Sequence, residues 1–334
     1  MLKIMYNIYL KNNKTFHCDK DTTIFDAAQK AGFILEHSCL NARCSSCIVK
    51  VLSGETKNLK EELVLTKEEK KQNFVLSCNT KPVSDLKLDI EDLGNIKLFD
   101  KKIVPAKINL IEKMSSDVLK VTFRLPPKSY FQYNAGQYVN LIKGDIKRSY
   151  SIANNASAKN QLEFFIKKYE NGLMSKYWFE EAKINDLLRI EGPLGSFFLR
   201  ETKCNNIVFL ATGTGIAPVK AMLESVIEEY STFSKKKFWI FAGVRYKQDL
   251  LWEPKINNTK IEIKYIPVLS RQVNDWYGEK GYVQDIVLKE NINLKDAQVY
   301  ACGSNDMIQS AKKLLFKNSL NENSFFSDAF VSTN

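Results

Sequence analysis

Apolar residues change their spacing twice along this chain, and the changes divide it into three stretches. Residues 4–10 form an apolar run that breaks at Lys11, Asn12, Asn13 and Lys14 and resumes briefly, which predicts a hairpin. Residues 21–32 place Ile24, Ala27 and Ala28 on one helical face, with a threonine or aspartate to cap the start and Gly32 to end it. A linker over 94–102 leads into short apolar segments separated by turns. Those at 103–111, 118–125, 137–141, 147–153, 161–168 and 187–191 read as strands, and their spacing suggests an antiparallel barrel. After residue 205 strands at 207–211, 238–243, 261–269 and 298–302 alternate with helical pattern. The clearest helix spans 216–230, with Ile216, Val219, Leu223, Val226, Ile227 and Tyr230 on one face. Such alternation predicts a parallel, doubly wound sheet that binds ligand at the carboxyl ends of its strands. The expected domains are 1–93, 103–202 and 203–334.

Composition narrows the setting. The 334 residues are 44% hydrophobic, enough for two or three real cores. No apolar run approaches the roughly 18 residues of a membrane span, and the N-terminus lacks the basic start and long apolar middle of a signal peptide. A soluble, cytoplasmic protein without membrane association is expected. The net charge of +11 lies behind residue 93: Lys and Arg number 14 against 13 Asp and Glu in residues 1–93, and 35 against 25 beyond. These lysines are scattered through Asn- and Ile-rich sequence with no stripe of interleaved aromatics, which argues against nucleic-acid binding and for a solvated surface, some of it free to hold phosphates.

Cysteine carries the first clear chemistry. Cys39, Cys44 and Cys47 are spaced C-x4-C-x2-C, and Cys78 follows after 30 intervening residues. This is the ligand spacing of a plant-type 2Fe–2S centre, in which a short loop brings three thiolates around the cluster and a distant segment supplies the fourth. A structural zinc site competes, but zinc ribbons pair two C-x2-C knuckles and this chain has one. Seven cysteines, an odd number, argue against a disulfide framework and for a reducing compartment; Cys18 and Cys204 are expected to be structural. The whole pattern from Lys3 to Leu93 resembles the ferredoxin β-grasp. Two positions depart from that family's loop: Leu40 stands where arginine is common, and Ala42 where glycine lets the backbone approach the sulfurs. With the ligands intact, a changed potential is expected, not a lost cluster.

In the second stretch, Arg148, Ser149, Tyr150 and Ser151 resemble the R-x-Y-S motif of the ferredoxin-NADP reductase superfamily. That resemblance implies that Arg148 pairs with the pyrophosphate of FAD, Tyr150 stacks on the isoalloxazine and Ser151 hydrogen-bonds near its reactive nitrogen. Taken alone, these four residues are an ordinary exposed strand. Gly172, Leu173, Met174 and Ser175 match the family's G-x-x-S turn, which sets N–H groups and a hydroxyl where a pyrophosphate can sit, though a simple helix cap reads the same way. The run from Gly192 to Phe197 repeats its G-P-x-G-x-F turn.

The third stretch contains Gly213, Thr214, Gly215 and Pro218. Pro218 stands where the third glycine of a dinucleotide fingerprint would fall, so the turn looks instead like the G-T-G-x-A-P loop of the same family. Tyr300, Ala301, Cys302 and Gly303, completed by Met307, resemble its C-G-x-x-x-M segment. By that resemblance Cys302 lies against the nicotinamide and is not a nucleophile; without it, a buried core cysteine is the plainer reading. Residues 325–330 resemble the aromatic tail that covers the flavin, with Phe330 the candidate ring. Ser270 and Arg271, with Lys280 and Tyr282 following, resemble the cluster that holds a 2′-phosphate, whereas Trp276, Gly278 and Gly281 resemble enzymes that use NADH. The cofactor is therefore NADH or NADPH.

Together these features imply a multidomain α+β and α/β protein: an N-terminal β-grasp ferredoxin, an antiparallel β-barrel FAD domain and a doubly wound NAD(P)-binding domain. The implied activity is an oxidoreductase passing electrons from NAD(P)H through FAD to a 2Fe–2S cluster and on to a protein acceptor, with no side-chain acid or base; Cys302, Phe330 and Ser151 are the residues expected near the nicotinamide. Two subfamilies share this order. The CDP-6-deoxy-3,4-glucoseen reductase type serves a dehydrase in deoxysugar synthesis, and the Trp276 to Gly281 stretch and Phe330 lie closer to it. The other comprises reductases of aromatic-ring dioxygenases and multicomponent monooxygenases. A cluster-bearing sensor without turnover is the alternative from another class, and Gly213, Gly215, Cys302 and Arg148 count against it.

Overall fold

Strands β1 (Met5–Tyr9) and β2 (Thr15–Asp19) pair antiparallel across the polar turn, from Met5 opposite Asp19 to Tyr9 opposite Thr15. The structure, a computed structural model, describes residues 4–94, 96–157, 160–256, 260–271 and 275–330. It divides into two compact units, one ending at Lys97 and including Gly195–Phe197, the other formed by Leu98–Leu194 and Phe198–Phe330.

In the first unit helix α1 (Ile24–Lys30) begins where the Thr23 hydroxyl accepts the Asp26 N–H, and Gly32 beyond it takes a φ of +82°. The helix buries Ile24, Phe25, Ala27 and Ala28 against Ile8, Phe16, Leu35, Val49 and Leu88. At roughly 1.5–3 kcal/mol per large apolar side chain removed from water, this cluster is the main source of the unit's stability. Strands β3 (Ile48–Ser53), β5 (Phe74–Leu76) and β7 (Leu86–Leu88) complete a sheet of order β2-β1-β7-β3-β5, while β4 (Thr56–Asn58) and β6 (Thr80–Pro82) pair separately. Between β4 and β5, α2 (Lys67–Lys71) is capped reciprocally by Thr66 and Glu69. The β1–β7 pair is parallel.

The second unit contains two six-stranded sheets. The antiparallel strands expected from the sequence are all present: β8 (Lys102–Lys113), β9 (Val118–Arg124), β10 (Tyr138–Lys143), β11 (Ile146–Ser151), β12 (Gln161–Lys167) and β13 (Leu187–Leu194), hydrogen-bonded in the order β11-β10-β13-β8-β9-β12. A short helix α3 (Leu173–Lys176) runs directly into a wider turn at Tyr177–Glu181, and Trp178 joins Phe123 and Phe164 in the core of this sheet.

Strands β14 (Asn206–Thr212), β15 (Lys237–Val244), β16 (Glu262–Leu269), β17 (Glu279–Lys280), β18 (Ala297–Gly303) and β19 (Phe325–Ala329) form the other sheet, in the order β17-β16-β15-β14-β18-β19. Every pair in it is parallel. Helices α4 (Ile216–Glu228), α5 (Tyr230–Phe233), α6 (Val283–Lys289) and α7 (Asn305–Lys317) connect the strands. Chain order reverses beside β14, which makes its carboxyl end, with that of β18, the switch point where such sheets bind ligands.

One expectation needs correction. The helix over 216–230 stops at Glu228, so Tyr230 is not on its buried face: the tyrosine opens α5 and is exposed, its hydroxyl accepting Lys260 Nζ at 2.9 Å. Two consecutive glutamates followed by a polar, β-branched segment give that end of the helix nothing to bury. Residues 325–329 form the edge strand β19, in which Phe326 stacks on Tyr300 at 5.1 Å between centroids. None of the helices described is long and apolar enough to cross a membrane.

Candidate functional site

The cysteine loop is wound so that its main chain faces its sulfurs. Leu40 and Ala42 hold φ values of +51° and +60°, a left-handed geometry that turns successive N–H groups inward. Cys44 N–H donates to Cys39 Sγ at 3.3 Å, and Cys39 N–H to Cys44 Sγ at 3.4 Å. The N–H groups of Asn41 and Arg43 also serve Cys39, that of Ser46 serves Cys44, and that of Ala42 serves Cys78. Cys47 Sγ and Cys78 Sγ lie 3.3 Å apart as free thiols, and Leu65 and Leu76 pack beside them.

Each pair is electrostatically asymmetric. A hydrogen bond from the Cys44 thiol, aided by main-chain N–H groups and opposed by burial, pulls Cys39 down to about 6. The Cys47 thiol lowers Cys78 in the same way. Cys44 and Cys47 are pushed up because each donates to its partner and is buried. Among the described residues no three or more cysteine, histidine or carboxylate groups converge as a site for a single metal ion. The thiols stand instead as two pairs, a donor set that can divide between two metal atoms, with N–H groups already aimed at sulfur, so a 2Fe–2S cluster fits the residues present.

Of the four flavin-motif residues, all on β11, Arg148 and Tyr150 share the partly buried face and Ser149 takes the exposed one. Trp178 Nε1 donates to the Tyr150 hydroxyl at 3.1 Å and meets its ring edge-on at 6.5 Å. Burial raises the Tyr150 phenol and outweighs the lowering effect of the Trp178 hydrogen bond, so it stays neutral. Arg148 Nη1 donates to Lys147 O at 2.8 Å, which braces the guanidinium along the strand while leaving it half exposed. Ser149 Oγ donates to Asn140 Oδ1 at 2.8 Å, and Asn140 Nδ2 donates to Glu191. Lys147 pairs with that same glutamate and holds its carboxyl below the ordinary range. Ser151 is buried at the strand end.

Gly172 lets the turn close at the start of α3. A Cβ there would meet Ser175 Oγ at 3.0 Å, and that hydroxyl already accepts the Tyr169 N–H at 2.9 Å. Ser175 therefore shapes the turn, while the Met174 side chain is sunk in the core of the sheet. What remains for an anion is the main chain of the helix's first turn and the Arg148 guanidinium, a donor set that suits a pyrophosphate.

The glycine turn after β14 and the end of β18 interlock. A Cβ on Gly215 would fall 2.3 Å from Cys302 O, and one on Gly303 would fall 2.1 Å from Thr212 Oγ1. Only glycine permits either approach. Gly213 takes a φ of +55°, Thr214 is buried, and Pro218 sits in the first turn of α4, where a missing N–H costs little. Thr212 Oγ1 accepts the Ser304 N–H at 3.2 Å. Phe330 N–H donates to Gly303 O at 2.9 Å, so this residue also reaches the switch point.

Cys302 is 0% exposed. Burial, followed by the nearby Asp328, pushes its thiol well above the ordinary range. Met307 lies within the packing of α7, its N–H accepted by Ser304 Oγ at 3.3 Å. Arg271 stands apart, exposed just beyond β16, its N–H donated to Arg245 O at 3.0 Å. The structure thus groups Gly213, Thr214, Gly215, Cys302, Gly303 and Phe330 at one switch point, groups Arg148 to Ser151 on one strand, and leaves Arg271 separate. Thr212 was not expected; its place between strand and glycine turn was the available signal.

A thiol loop built for a two-metal cluster, a basic antiparallel sheet and a parallel sheet with a glycine switch point define an iron–sulfur flavoprotein oxidoreductase. Family models agree: residues 8–83 match a 2Fe-2S iron-sulfur cluster binding domain, 105–199 an oxidoreductase FAD-binding domain and 209–313 an oxidoreductase NAD-binding domain. The chain is 39% identical over 317 residues to a CDP-6-deoxy-L-threo-D-glycero-4-hexulose-3-dehydrase reductase of Yersinia pestis, covering 95% of each. It is 28% identical to the reductase component of a propane 2-monooxygenase of Mycolicibacterium smegmatis, covering 94% of this chain and 93% of that one. In fold it matches the crystal structure of an Amycolatopsis cytochrome P450 reductase with a TM-score of 0.71, at 22% identity, over 97% of this chain and 98% of the other. The chain belongs to the family of three-domain electron-transfer reductases that use a 2Fe–2S cluster, FAD and a nicotinamide nucleotide.

Proposed function

We propose that this reductase serves a sugar-nucleotide dehydrase, in the manner of the CDP-6-deoxy-3,4-glucoseen reductases of deoxysugar synthesis, and that it does so in the cytoplasm. The observation that carries this reading is the 39% identity sustained over 95% of both chains with the dehydrase reductase. The oxygenase-type relative stands at 28% and supplies the second reading, a reductase component of an oxygenase. Residues 1–93 form the ferredoxin domain, joined by 94–102 to a flavin domain at 103–202 and a nucleotide domain from 203 onward.

Cys39, Cys44, Cys47 and Cys78 hold the cluster, supported by the inward N–H groups of their loop. Arg148 and the main chain at Gly172, Met174 and Ser175 hold the FAD pyrophosphate, with Tyr150 against the ring, Ser149 bracing the strand and Ser151 at its end. Gly213, Thr214, Gly215 and Pro218 receive the nucleotide, Arg271 meets its adenosine end, and Cys302, Gly303, Met307 and Phe330 shape the nicotinamide side. FAD, when bound, supplies the exchange between the paired electrons of NAD(P)H and the single electrons a cluster accepts. The protein's share is to bind, orient and exclude water; no titrating side chain is required.

The test is reconstitution. The purified reductase, NAD(P)H and a CDP-6-deoxy-L-threo-D-glycero-4-hexulose-3-dehydrase should consume nucleotide and yield 3-deoxygenated sugar. Turnover with a terminal oxygenase but none with the dehydrase would reverse the order of the two readings. Failure to reduce ferricyanide with either nucleotide would remove both.

A further inference from the structure

Helix α4 leaves the glycine turn and lays a row of charged residues, Lys220, Glu224 and Glu228, along the segment that follows the flavin-motif strand. Lys220 Nζ reaches Ala153 O at 2.9 Å, Glu163 Oε1 at 3.1 Å and Glu224 Oε1 at 2.7 Å. The other oxygen of Glu224 accepts the Asn155 N–H at 3.2 Å, and Ser157 Oγ donates to Glu228 Oε1 at 2.8 Å. The lysine and Glu163 side chains are only 12% and 16% exposed, so this is not the solvated pairing typical of a surface helix.

The segment it grips is itself closely hydrogen-bonded. Asn154 Oδ1 accepts the Glu163 N–H at 2.7 Å, Asn154 Nδ2 donates to Gln161 O at 3.0 Å, and Tyr133 Oη donates to the carbonyls of Asn154 and Asn155 at 3.1 and 2.7 Å. On one side the tie lies two residues beyond Ser151; on the other it lies one helical turn beyond the Gly213 to Gly215 turn.

We propose that Lys220 is a positioning residue: it fixes the nucleotide-binding turn against the flavin-binding strand and so sets the gap that hydride must cross. This rests on the flavin and nucleotide assignments given above. A buried lysine shared between two carboxylates adds little net stability, because desolvation offsets most of the attraction; what it can specify is register. Hydride transfer needs register, since the reacting atoms must approach to about 3–3.5 Å. Glu224 and Glu228 hold α4 to the same segment through Asn155 and Ser157, and Lys220 adds the contacts to Ala153 O and to Glu163 of β12.

Lys220→Met leaves the two glutamates facing each other without their cation; Lys220→Arg keeps the charge. In single-turnover mixing, Lys220→Met should keep its FAD and bind NAD(P)H with affinity unchanged within about twofold, yet reduce flavin about tenfold more slowly. Amide exchange at Asn155 should quicken in the same variant, a readout that needs no turnover, and Lys220→Arg should recover most of both. Flavin reduction within about twofold of the parent, or an arginine variant as slow as the methionine one, overturns the proposal. If Lys220→Met does not fold, the pair Glu163→Gln and Glu224→Gln removes the charge partners while keeping acceptors, and flavin reduction in that double variant within about twofold of the parent overturns the proposal. A parent protein whose flavin NAD(P)H cannot reduce would instead sink the functional reading, leaving the exchange measurement on the tie intact.

Discussion

The two departures of the cysteine loop from the ferredoxin pattern, Leu40 and Ala42, are the two positions wound into the left-handed region. A non-glycine residue there costs about 1–2 kcal/mol, against about 0.4–1 kcal/mol of extra unfolded-chain entropy if glycine replaces it. Ala42→Gly is expected to raise the unfolding free energy of the metal-free protein by up to about 1.6 kcal/mol, read as a higher denaturant midpoint, and a lower midpoint would show that the alanine is not strained. Cys18 makes a pH prediction. Its thiol is fully buried, lies toward the carbonyls of Thr22 and Thr23, and is pushed up to about 12 by burial, with Asp19 and Asp26 adding. Because the folded value is raised, its stabilising effect is complete below the unfolded value near 9 and is lost as pH climbs from there toward about 12. Urea melts between those limits should weaken with pH, and Cys18→Ala should flatten the decline. The gathering of Cys39, Cys44, Cys47 and Cys78 was legible from spacing alone. The Lys220 tie was not, because a lysine and two glutamates on different elements look like ordinary surface charge until the fold brings them together.

Elements were legible in proportion to their length. The period-two alternation of β8, where Val104, Ala106 and Ile108 point inward, shows in the sequence as a strand. The three-residue strands β4 to β7 hold too few residues for any period, and partners distant in sequence define them. Helix α7 did carry a signal, Met307, Ile308, Ala311 and Leu315 at helical spacing, but only Met307 was drawn from it, for a cofactor role. Within the parallel sheet the contact between Gly215 and Cys302 sets a sharp limit. Gly215→Ala places a carbon 2.3 Å from Cys302 O, and the strand ends must part. Steady-state kinetics with ferricyanide should show KM for NAD(P)H rising about tenfold or more while FAD content holds; an unchanged KM would mean that this turn does not receive the nucleotide.

For the molecule as a whole, the two units allow the two halves of electron transfer to be separated. The cysteines of the loop and Cys78 belong to the unit ending at Lys97, and Arg148 to Ser151, Gly172 to Ser175 and the nucleotide motifs to the other. Cys44→Ser should abolish reduction of a protein acceptor while leaving NAD(P)H oxidation by ferricyanide largely intact, as read from the two rates on one preparation. Loss of both would tie the flavin half to the cluster for its integrity. A last consequence follows from the strand order of the parallel sheet. Its central strand, β14, is made early, yet the neighbour on one flank, β18, does not begin until Ala297. Throughout that interval of synthesis a strand apolar from Ile207 to Ala211 offers an unsatisfied edge to whatever else is present, so the nascent nucleotide half should be the part of this protein that most depends on chaperones and most readily aggregates when refolded from denaturant.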